Sequence, residues 1–378
     1  MGKGEKIMKI IATTTFGLEA VLKRELIALG YDVTTENGRC IVEGDLRDIA
    51  KLNLNLRCAD RVLIELLNFK ATTFEDLYQG VLKFPWHEYI SIDGNFIVQG
   101  RSKNSKLFSV SDCQRITERA IIDVMKKHYD IDYFEKSKER YKLEVALRDD
   151  IASVTLDTSG DGLHKRGYRA RNYKAPLSET IAAALVMLSY WNPDRILHDP
   201  FCGSGTILIE AAMIGKNIAP GLMRKFDFEK FKFFDEEIMK EEKKLAYERI
   251  DYDKTLKIYG SDIERGAIEI AKDNAELLGL EEDITFFEKD IRDLIIGDDY
   301  GVIITNPPYG IRIGKDVKEL EKELGLLHKS CPTWSVYAIS GDEDFEKNFG
   351  KKADRNRKLY NGGIKTYYYQ YLGPKPRG

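Results

Sequence analysis

The second half of the sequence alternates short apolar segments with amphipathic ones. This alternation limits the possible folds of the chain more than any other feature of the sequence. The apolar segments have the length of strands, and the segments between them have apolar residues at helical spacing. Such repetition predicts an α/β domain with a mostly parallel, doubly wound sheet. The predicted strands are 195–199, 256–262, 284–288, 302–305, 335–340 and 366–372, and the predicted helices are 178–190, 206–214 and 265–278.

The first half mixes the same elements in shorter units. We predict one α/β unit over residues 1–65, with a hairpin at Asn37-Gly38, and a second over 66–158, with a hairpin at Asp149-Asp150. A linker follows at 159–175, and the alternating domain occupies 176–378. An insertion at about 217–257 is charged but rich in phenylalanine. Because aromatic side chains need burial, we interpret it as helical decoration of the sheet rather than disorder.

A glycine-rich turn joins the first strand of this domain to its helix. Residues 199–206 read Asp-Pro-Phe-Cys-Gly-Ser-Gly-Thr. Gly203 and Gly205 let a ligand approach the backbone, and the helix that begins at Thr206 offers free N–H groups. No lysine follows the second glycine, so the turn is not a phosphate-binding P-loop. Asp199 suits an ammonium group and would repel a pyrophosphate, which favours S-adenosylmethionine with its zwitterionic amino-acid end.

Two further acids follow the next strands of the predicted sheet. Asp262 ends the second strand, where an acid can accept hydrogen bonds from both hydroxyls of a ribose. Its distance from the glycine turn exceeds the usual spacing, and the insertion accounts for the excess. Asp290 follows the third strand and could accept the amino group of the adenine. These positions are consistent with one adenosine-containing ligand lying across the strand ends.

The segment Asn306-Pro307-Pro308-Tyr309 directly follows a buried strand. Two prolines cannot continue the ladder, so the segment must be a rigid loop. The Asn306 side-chain oxygen and the Pro307 carbonyl can accept both protons of an exocyclic amine. They would thereby turn its nitrogen toward sp3 geometry and aim its lone pair at a methyl group. Tyr309 offers a stacking face for the base that carries the amine.

The overall charge is close to balanced, with 59 Lys+Arg against 62 Asp+Glu and a net charge of −3. This balance limits non-specific binding of nucleic acid. Residues 164–174, however, contain five basic residues, two tyrosines and no acid, which indicates an RNA track unless they form only a solvated linker. A second basic segment, 101–127, could equally be a charged helix face. The RNA-contact residues predicted from the first segment are Lys165, Arg166, Tyr168, Arg169, Arg171 and Lys174.

Cysteine and histidine spacing argues against a bound metal. The five cysteines are far apart with no CxxC pair, and the five histidines show no HxxxH or HExxH spacing. We therefore predict no metal site, no disulfide framework and a reducing compartment. The start of the chain has no apolar stretch of signal-peptide length, so we expect a cytoplasmic protein. We expect a monomer.

The motifs together resemble S-adenosylmethionine-dependent amino-methyltransferases, and more closely the bacterial THUMP-domain RNA guanine-N2 methyltransferases of the RlmL-like, 23S rRNA type. Relatives of this kind are often labelled N6-adenine-specific DNA methylases. The similarity rests on residues 165–169, 175–180, 199–206 and 306–312. It implies a ferredoxin-like subdomain at 1–65, a THUMP RNA-binding domain at 66–158, and a Rossmann-like class I methyltransferase domain with a mostly parallel seven-stranded sheet. The second methyltransferase fused in some relatives is missing, so one modification is expected.

The resemblance also implies roles for individual residues. Catalysis would involve Asn306, Pro307, Pro308 and Tyr309. The reaction would convert S-adenosylmethionine to S-adenosylhomocysteine, with RNA as the partner. Residues expected to contact the cofactor are Ser178, Glu179, Asp199, Phe201, Gly203, Gly205, Thr206, Asp262, Ile263, Asp290 and Asn306.

Several alternatives remain open on the sequence. The 306–309 loop suits the N2 amine of guanine and the N6 amine of adenine equally, so an adenine-N6 methyltransferase acting on DNA or RNA is one alternative. A tRNA guanine-N2 methyltransferase is another. A third is a non-catalytic RNA-binding protein that keeps the fold, although the intact Asp199, Gly203, Gly205 and Asn306 oppose it.

Overall fold

Two seven-stranded sheets organise the protein in a computed structural model that describes residues 7–169, 177–308 and 316–375. The first half of the chain builds one sheet and the second half builds the other. A large hydrophobic core lies against each sheet. Among the described residues, no helix is both long and apolar enough to cross a membrane.

The N-terminal sheet unites the two predicted units. Its elements are β1 (Met8–Thr13), α1 (Glu19–Ala28), β2 (Thr34–Glu36), β3 (Arg39–Gly44), α2 (Leu46–Asn55), β4 (Arg61–Lys70), α3 (Phe74–Leu82), α4 (Trp86–Tyr89), β5 (Asn95–Lys103), α5 (Val110–Tyr129), β6 (Arg140–Arg148) and β7 (Ile151–Asp157). The strand order is β2-β3-β1-β4-β7-β6-β5. Strand β4 runs across the predicted boundary at residue 65 and pairs antiparallel with β7, so one continuous sheet spans both units.

Local chemistry explains why these elements begin and turn where they do. Asp45 caps α2, and its carboxylate accepts hydrogen bonds from two backbone N–H groups while Asp48 reaches back to the Asp45 N–H. Gly38 adopts a φ of +74°, which closes the predicted β2–β3 hairpin. Asp149 and Asp150, at φ of +54° and +64°, form the predicted β6–β7 turn, since aspartate tolerates the left-handed region better than most residues.

The second sheet has the predicted parallel core. Its elements are α6 (Glu179–Leu188), β8 (Leu197–Asp199), α7 (Thr206–Gly215), α8 (Glu236–Glu248), β9 (Ile258–Asp262), α9 (Arg265–Glu276), β10 (Ile284–Glu288), β11 (Val302–Thr305), α10 (Asp316–Ser330), β12 (Ser335–Ser340), α11 (Phe345–Phe349), β13 (Arg355–Asn361) and β14 (Ile364–Tyr371). The order is β10-β9-β8-β11-β12-β14-β13, with β13 and β14 antiparallel. The edge strand β13 was not predicted from the sequence, because its charged residues obscure the alternation of apolar and polar residues that indicates a strand.

The insertion packs differently from the prediction. It contains α8 and a short 3-10 turn (Asp227–Lys230), but its buried phenylalanines join the core of the N-terminal half rather than that of the second sheet. Phe231 stacks on Tyr141 of β6 at 4.8 Å between ring centroids, and Phe233 contacts Tyr89 of α4 at 5.0 Å. Interpreting it as decoration of the second sheet was therefore wrong, because burial alone does not say which core receives the aromatics.

Candidate active site

The candidate site lies where β8, β9 and β11 end side by side. Strand β8 pairs in parallel with β9, placing Asp199 opposite Gly260, and with β11, placing His198 opposite Ile303. The chain order reverses at β8, and such a switch point opens a crevice beyond the carboxyl ends of the strands. The aspartates of two strand ends and the loop after β11 therefore meet at one edge.

Asp199 is a buried carboxylate at the centre of this edge. It is 1 % exposed, and its Oδ1 accepts hydrogen bonds from the Phe201 N–H at 3.0 Å and the Thr305 hydroxyl at 2.6 Å. Burial raises the pKa of Asp199 to about 7, and the neighbouring charge of Asp262 adds to the rise. Within the described part of the chain, no lysine or arginine forms an ion pair with Asp199. A cationic ligand group at this position would relieve the cost of the buried charge.

The glycine turn has the shape that the sequence predicts. Gly203 and Gly205 adopt φ of +51° and +78°, a region that glycine enters without strain. A Cβ on Gly205 would lie 2.9 Å from the Phe286 ring and 3.1 Å from the Cβ of Ala271, so the turn packs closely on its neighbours. Gly205 is the N-cap of α7, whose first residue is Thr206, so the first turn of this helix begins at the strand edge.

Asp262 is held against the same turn. Its Oδ2 accepts a hydrogen bond from the Gly203 N–H at 3.0 Å, and its Oδ1 accepts one from the Glu264 N–H at 2.9 Å. Burial raises the pKa of Asp262. Each oxygen keeps a second lone pair for a ligand hydroxyl. The adjacent Ile263 is 63 % exposed, which leaves an apolar side chain at the edge of the crevice.

Asn306 carries an unpaired acceptor. Its Oδ1 is buried and has no hydrogen-bond partner among the described residues. A buried carbonyl oxygen without a partner costs about 1–3 kcal/mol, so a group that donates a hydrogen bond to it would stabilise this position. Pro307 is buried and Pro308 half-buried beside it, while the predicted Tyr309 lies outside the described residues.

Three further residues predicted to contact the cofactor, Ser178, Glu179 and Asp290, have other surroundings in the structure. Glu179 is 3 % exposed and forms an ion pair with Arg169. Ser178 lines a cavity of about 350 Å³ together with Thr15 of the first half and Tyr360 of β13. Asp290 caps a 3-10 turn at 291–293 by accepting from the Arg292 N–H at 2.9 Å. Their contacts with a cofactor stay predictions.

The predicted RNA track is partly a structural element. Arg166 is 2 % exposed; it pairs with Glu210 of α7 at 3.2 Å and donates to the backbone carbonyls of Leu163 and Arg57. Tyr168, 1 % exposed, also donates to Glu210. These two residues cannot contact RNA from buried positions, so that prediction was wrong for them. Both residues instead donate hydrogen bonds to the buried Glu210 carboxylate and so stabilise its charge inside the protein.

The other members of the track divide between the surface and the undescribed part of the chain. Lys165 is exposed and pairs with Asp161 at 3.0 Å, whereas the Arg169 guanidinium binds Glu179 and the Leu177 carbonyl. Arg224 of the insertion donates to four backbone carbonyls of the segment, those of Ser159, Asp161, Gly162 and Lys165. Arg171 and Lys174 lie outside the described residues. The described part of the linker is thus a packed joint between the halves.

The substitution Arg166→Lys tests this reassignment. Lysine keeps the charge but lacks the planar fork that reaches Glu210 and two carbonyls at once. We expect the free energy of unfolding to fall by about 1–3 kcal/mol, with RNA affinity of the folded protein unchanged. Denaturant titration and RNA binding measure the two effects. Lys165→Ala, at the exposed neighbour, should leave stability within about 0.5 kcal/mol; a matching loss of stability there would contradict the assignment.

Sequence reasoning missed Thr305, whose hydroxyl holds Asp199. The residue ends β11 and is fully buried. Its only sequence signal is a hydroxyl at the end of an otherwise aliphatic strand next to the predicted loop. Glu210 was also missed, because an acid inside an apolar helix reveals its role only through its partners.

Comparison with known proteins agrees with this architecture. Three family descriptions match in succession: the RlmL ferredoxin-like domain at residues 9–63, the THUMP domain at 71–157, and the RMKL-like methyltransferase domain at 166–370. The fold and the site at its strand edge thus define a class I methyltransferase. The chain belongs to the family of RMKL-like methyltransferases that carry an RlmL ferredoxin-like domain and a THUMP domain. The resemblance stated above is confirmed at this level.

Individual relatives cover most of the chain. "Putative RNA methyltransferase YpsC" of Bacillus subtilis is 45 % identical over 366 residues, which are 96 % of this chain and 95 % of the relative. The ribosomal RNA large subunit methyltransferase K/L of Psychromonas ingrahamii is 35 % identical over 96 % of this chain, which spans 50 % of that protein.

Solved structures show the same arrangement. A structure described as "SMU.472, a putative methyltransferase complexed with SAH" matches with a TM-score of 0.92 and 41 % identity over 99 % of this chain and 100 % of that one. A protein from Listeria monocytogenes, described as a predicted N6-adenine-specific DNA methylase, matches with a TM-score of 0.93 and 45 % identity over 98 % and 97 % of the two chains.

Proposed function

We propose that the protein transfers a methyl group from S-adenosylmethionine to the exocyclic N2 amine of a guanosine in structured RNA, with 23S rRNA as the substrate. The single observation that carries the proposal is the buried, unpaired Oδ1 of Asn306 at the edge where Asp199 and Asp262 converge. Family membership supports methyl transfer. The THUMP match and the names of two relatives, an RNA methyltransferase and a ribosomal RNA methyltransferase, support RNA as the substrate.

The residues at the edge fit S-adenosylmethionine. Asp199, buried with a raised pKa, would pair with the ammonium group of the methionine part. The Gly203–Gly205 turn gives the ligand room beside the backbone, and Asp262 would accept from the ribose hydroxyls. The SAH complex of SMU.472, 41 % identical to this chain, supports the same ligand here. When bound, the cofactor supplies an electrophilic methyl on a sulfonium.

The protein's own part in the reaction is to orient the amine. The Asn306 Oδ1 would accept one proton of the exocyclic amine and the Pro307 carbonyl the other, so that the nitrogen lone pair is freed from the ring. Because the methyl is already activated, no strong general base is needed before transfer. The nitrogen would become cationic as its bond to the methyl forms and the bond to sulfur breaks, and its surplus proton would then pass to solvent. Alignment of nucleophile and methyl then supplies most of the rate.

Adenine-N6 methylation remains the second candidate function. The Asn306–Pro308 loop would accept either amine, and the L. monocytogenes structure, described as a predicted N6-adenine-specific DNA methylase, favours this reading. The THUMP domain in front of the catalytic half favours RNA over DNA.

Methyl-transfer assays on unmodified RNA decide between the two. The purified protein is incubated with methyl-labelled S-adenosylmethionine and either 23S rRNA or tRNA, and the digested nucleosides are identified by mass spectrometry. We expect N2-methylguanosine from 23S rRNA. Methylated adenosine as the sole product contradicts the proposal, and label on tRNA alone supports guanine-N2 methylation of tRNA instead.

A further inference from the structure

A fully buried acid lies in helix α10, apart from the strand ends that form the candidate site. Glu321 is 0 % exposed and belongs to the second turn of α10, the helix that follows the loop 306–308 along the chain. Glutamate is almost never fully buried unless other groups hold it in place. The residues around Glu321 therefore indicate what this acid does.

Two neutral side chains donate hydrogen bonds to the Glu321 carboxyl. The Ser340 hydroxyl, at the end of β12, lies 3.3 Å from its Oε1, and the Asn348 amide nitrogen, on α11, lies 2.7 Å from its Oε2. The Ser340 hydroxyl also accepts a hydrogen bond from the Asp342 N–H at 3.0 Å. Glu321 thereby connects α10 to the end of a parallel strand and to the helix that follows it.

This strand end lies next to the loop that we assign to the target amine. Strands β11 and β12 are parallel, with Thr305 opposite Ala338. Continuing this register by two residues brings Pro307 level with Ser340, about 4.8 Å away across the strand spacing. Because alternate residues of a strand share a face, Ser340 faces the same side as Ala338, whose core includes residues of α10. The attachment of α10 to β12 therefore bears directly on the position of Pro307.

No lysine or arginine forms an ion pair with Glu321 in the described part of the chain. The ionisable groups that interact with it are the acid Asp342, after β12, and the phenols of Tyr369 and Tyr371 on β14. On α11 the facing group is the neutral amide of Asn348. The charged residues of the neighbouring 3-10 turn and the start of α10 are paired with one another: Arg292, Asp290 and Glu319.

These surroundings favour the neutral form of the acid. Burial raises the pKa of Glu321 to about 7, and the negative charge of Asp342 adds to the rise, although the hydrogen bonds from Asn348 and Ser340 oppose it. A neutral acid still accepts both hydrogen bonds and has an O–H of its own to donate. An ionised carboxylate would be an unpaired buried charge close to a second acid, a cost that only access of water could relieve.

We propose that Glu321 is a positioning residue: as a neutral acid it holds α10 against the end of β12 and so fixes the loop that receives the target amine. Ionisation would weaken this attachment and move the Asn306 and Pro307 acceptors out of alignment. A displacement of about 1 Å can cost on the order of 10²-fold in rate. The inference rests on the proposed function only in assigning this loop to the amine.

Single-turnover methyl transfer between pH 7 and 9, at saturating S-adenosylmethionine and RNA, tests the proposal. The wild-type rate should fall by up to about tenfold per pH unit as Glu321 ionises. Glu321→Gln imitates the neutral acid, so its rate should lie within about twofold of wild type at pH 7 and stay constant up to pH 9. The matched control Glu319→Gln, at an exposed acid of the same helix, should keep the wild-type profile.

Asp342→Asn provides a second test with a defined direction. The substitution removes the negative charge that adds to the pKa of Glu321, and it keeps an oxygen for the Asp344 N–H. The fall in rate should therefore begin at a lower pH than in the wild type. An acid with a purely structural role would instead alter the rate by the same factor at every pH.

Hydrogen exchange of α10 in the unliganded protein tests the attachment without methyl transfer. After correction for the intrinsic pH dependence of exchange, protection of the α10 amides should fall between pH 7 and 9 in the wild type and stay constant in Glu321→Gln. If no RNA accepted a methyl group, the proposed function would fail, while the exchange result would still decide the role of Glu321.

Three results would overturn the proposal. The first is a Glu321→Gln variant whose rate falls above pH 7 as the wild-type rate does. The second is a wild-type α10 that keeps its protection up to pH 9. The third is a Glu321→Gln variant that is at least tenfold slower than wild type at every pH, because a neutral side chain would then not be enough to position the loop.

Discussion

Replacing Asn306 by alanine should abolish methyl transfer while leaving cofactor binding nearly unchanged. The substitution removes the buried, unpaired Oδ1, the acceptor that we assign to the target amine. Loss of one group that orients or stabilises the reacting atoms costs on the order of 10²- to 10³-fold in turnover. Single-turnover kinetics with rRNA measures the rate, and calorimetry with S-adenosylhomocysteine measures the affinity.

An exposed asparagine in the same domain provides the control. Asn192 lies in the turn before β8, and Asn192→Ala should leave both turnover and affinity unaltered. If Asn306→Ala instead lost most of its affinity for S-adenosylhomocysteine, the Oδ1 would belong to the cofactor site rather than to the target base. Turnover within a few-fold of wild type would refute both roles.

The substitution Asp199→Asn should lower the affinity for the cofactor and raise the free energy of unfolding of the unliganded protein. Asparagine keeps an oxygen for the Thr305 hydroxyl and the Phe201 N–H but cannot pair with an ammonium group. We expect affinity for S-adenosylhomocysteine to fall on the order of a hundredfold or more, as for other truncated buried charge pairs. Asp194→Asn, at an exposed aspartate, is the matched control and should bind normally.

The stability effect depends on pH in a defined direction. Because the folded state raises the pKa of Asp199 from 3.8 to about 7, it favours the protonated acid. That contribution is complete below about pH 4 and is lost as the pH rises toward 7. At pH 8 the unliganded Asn variant should therefore be more stable than wild type by up to about 4 kcal/mol, with a smaller difference at pH 5.

Wild-type cofactor affinity should follow the same ionisation. Below pH 7 the acid must lose its proton to pair with the ammonium, so affinity should rise by up to tenfold per pH unit and level off above pH 7. Thermal melts and calorimetry between pH 5 and 8 measure both effects. If stability and cofactor affinity depended on pH in the same way in wild type and in the Asn variant, the Asp199 charge would not be buried in the way described.

The parts of the fold that local pattern controls were predictable from the sequence. Apolar periodicity in the sequence indicates parallel strands followed by helices. Because the carboxyl ends of parallel strands lie at one edge of a sheet, Asp199, Asp262 and Asn306 could be expected close together. The hairpins at Asn37-Gly38 and Asp149-Asp150 were equally local, since each depends on residues that tolerate positive φ.

Contacts between distant segments were not predictable in the same way. Arg166 and Tyr168 read as an RNA track because the acid that binds them, Glu210, is more than forty residues away and inside an apolar helix. The phenylalanines of the insertion indicate that the segment is buried, but they do not indicate which of the two cores it packs against. Thr305 gained its role only when β11 came to lie beside β8. In each case the deciding partner is remote in sequence.

The insertion has a consequence for building chimeric enzymes in this family. It leaves the catalytic half after α7, yet Phe231 and Phe233 sit in the aromatic core of the first half, and the Gly221 N–H donates to the Leu54 carbonyl at 2.9 Å. A catalytic half expressed alone would display these rings to water and aggregate. A swap of substrate-recognition modules between relatives should therefore carry the insertion along with the N-terminal half, although the two are separate in the gene.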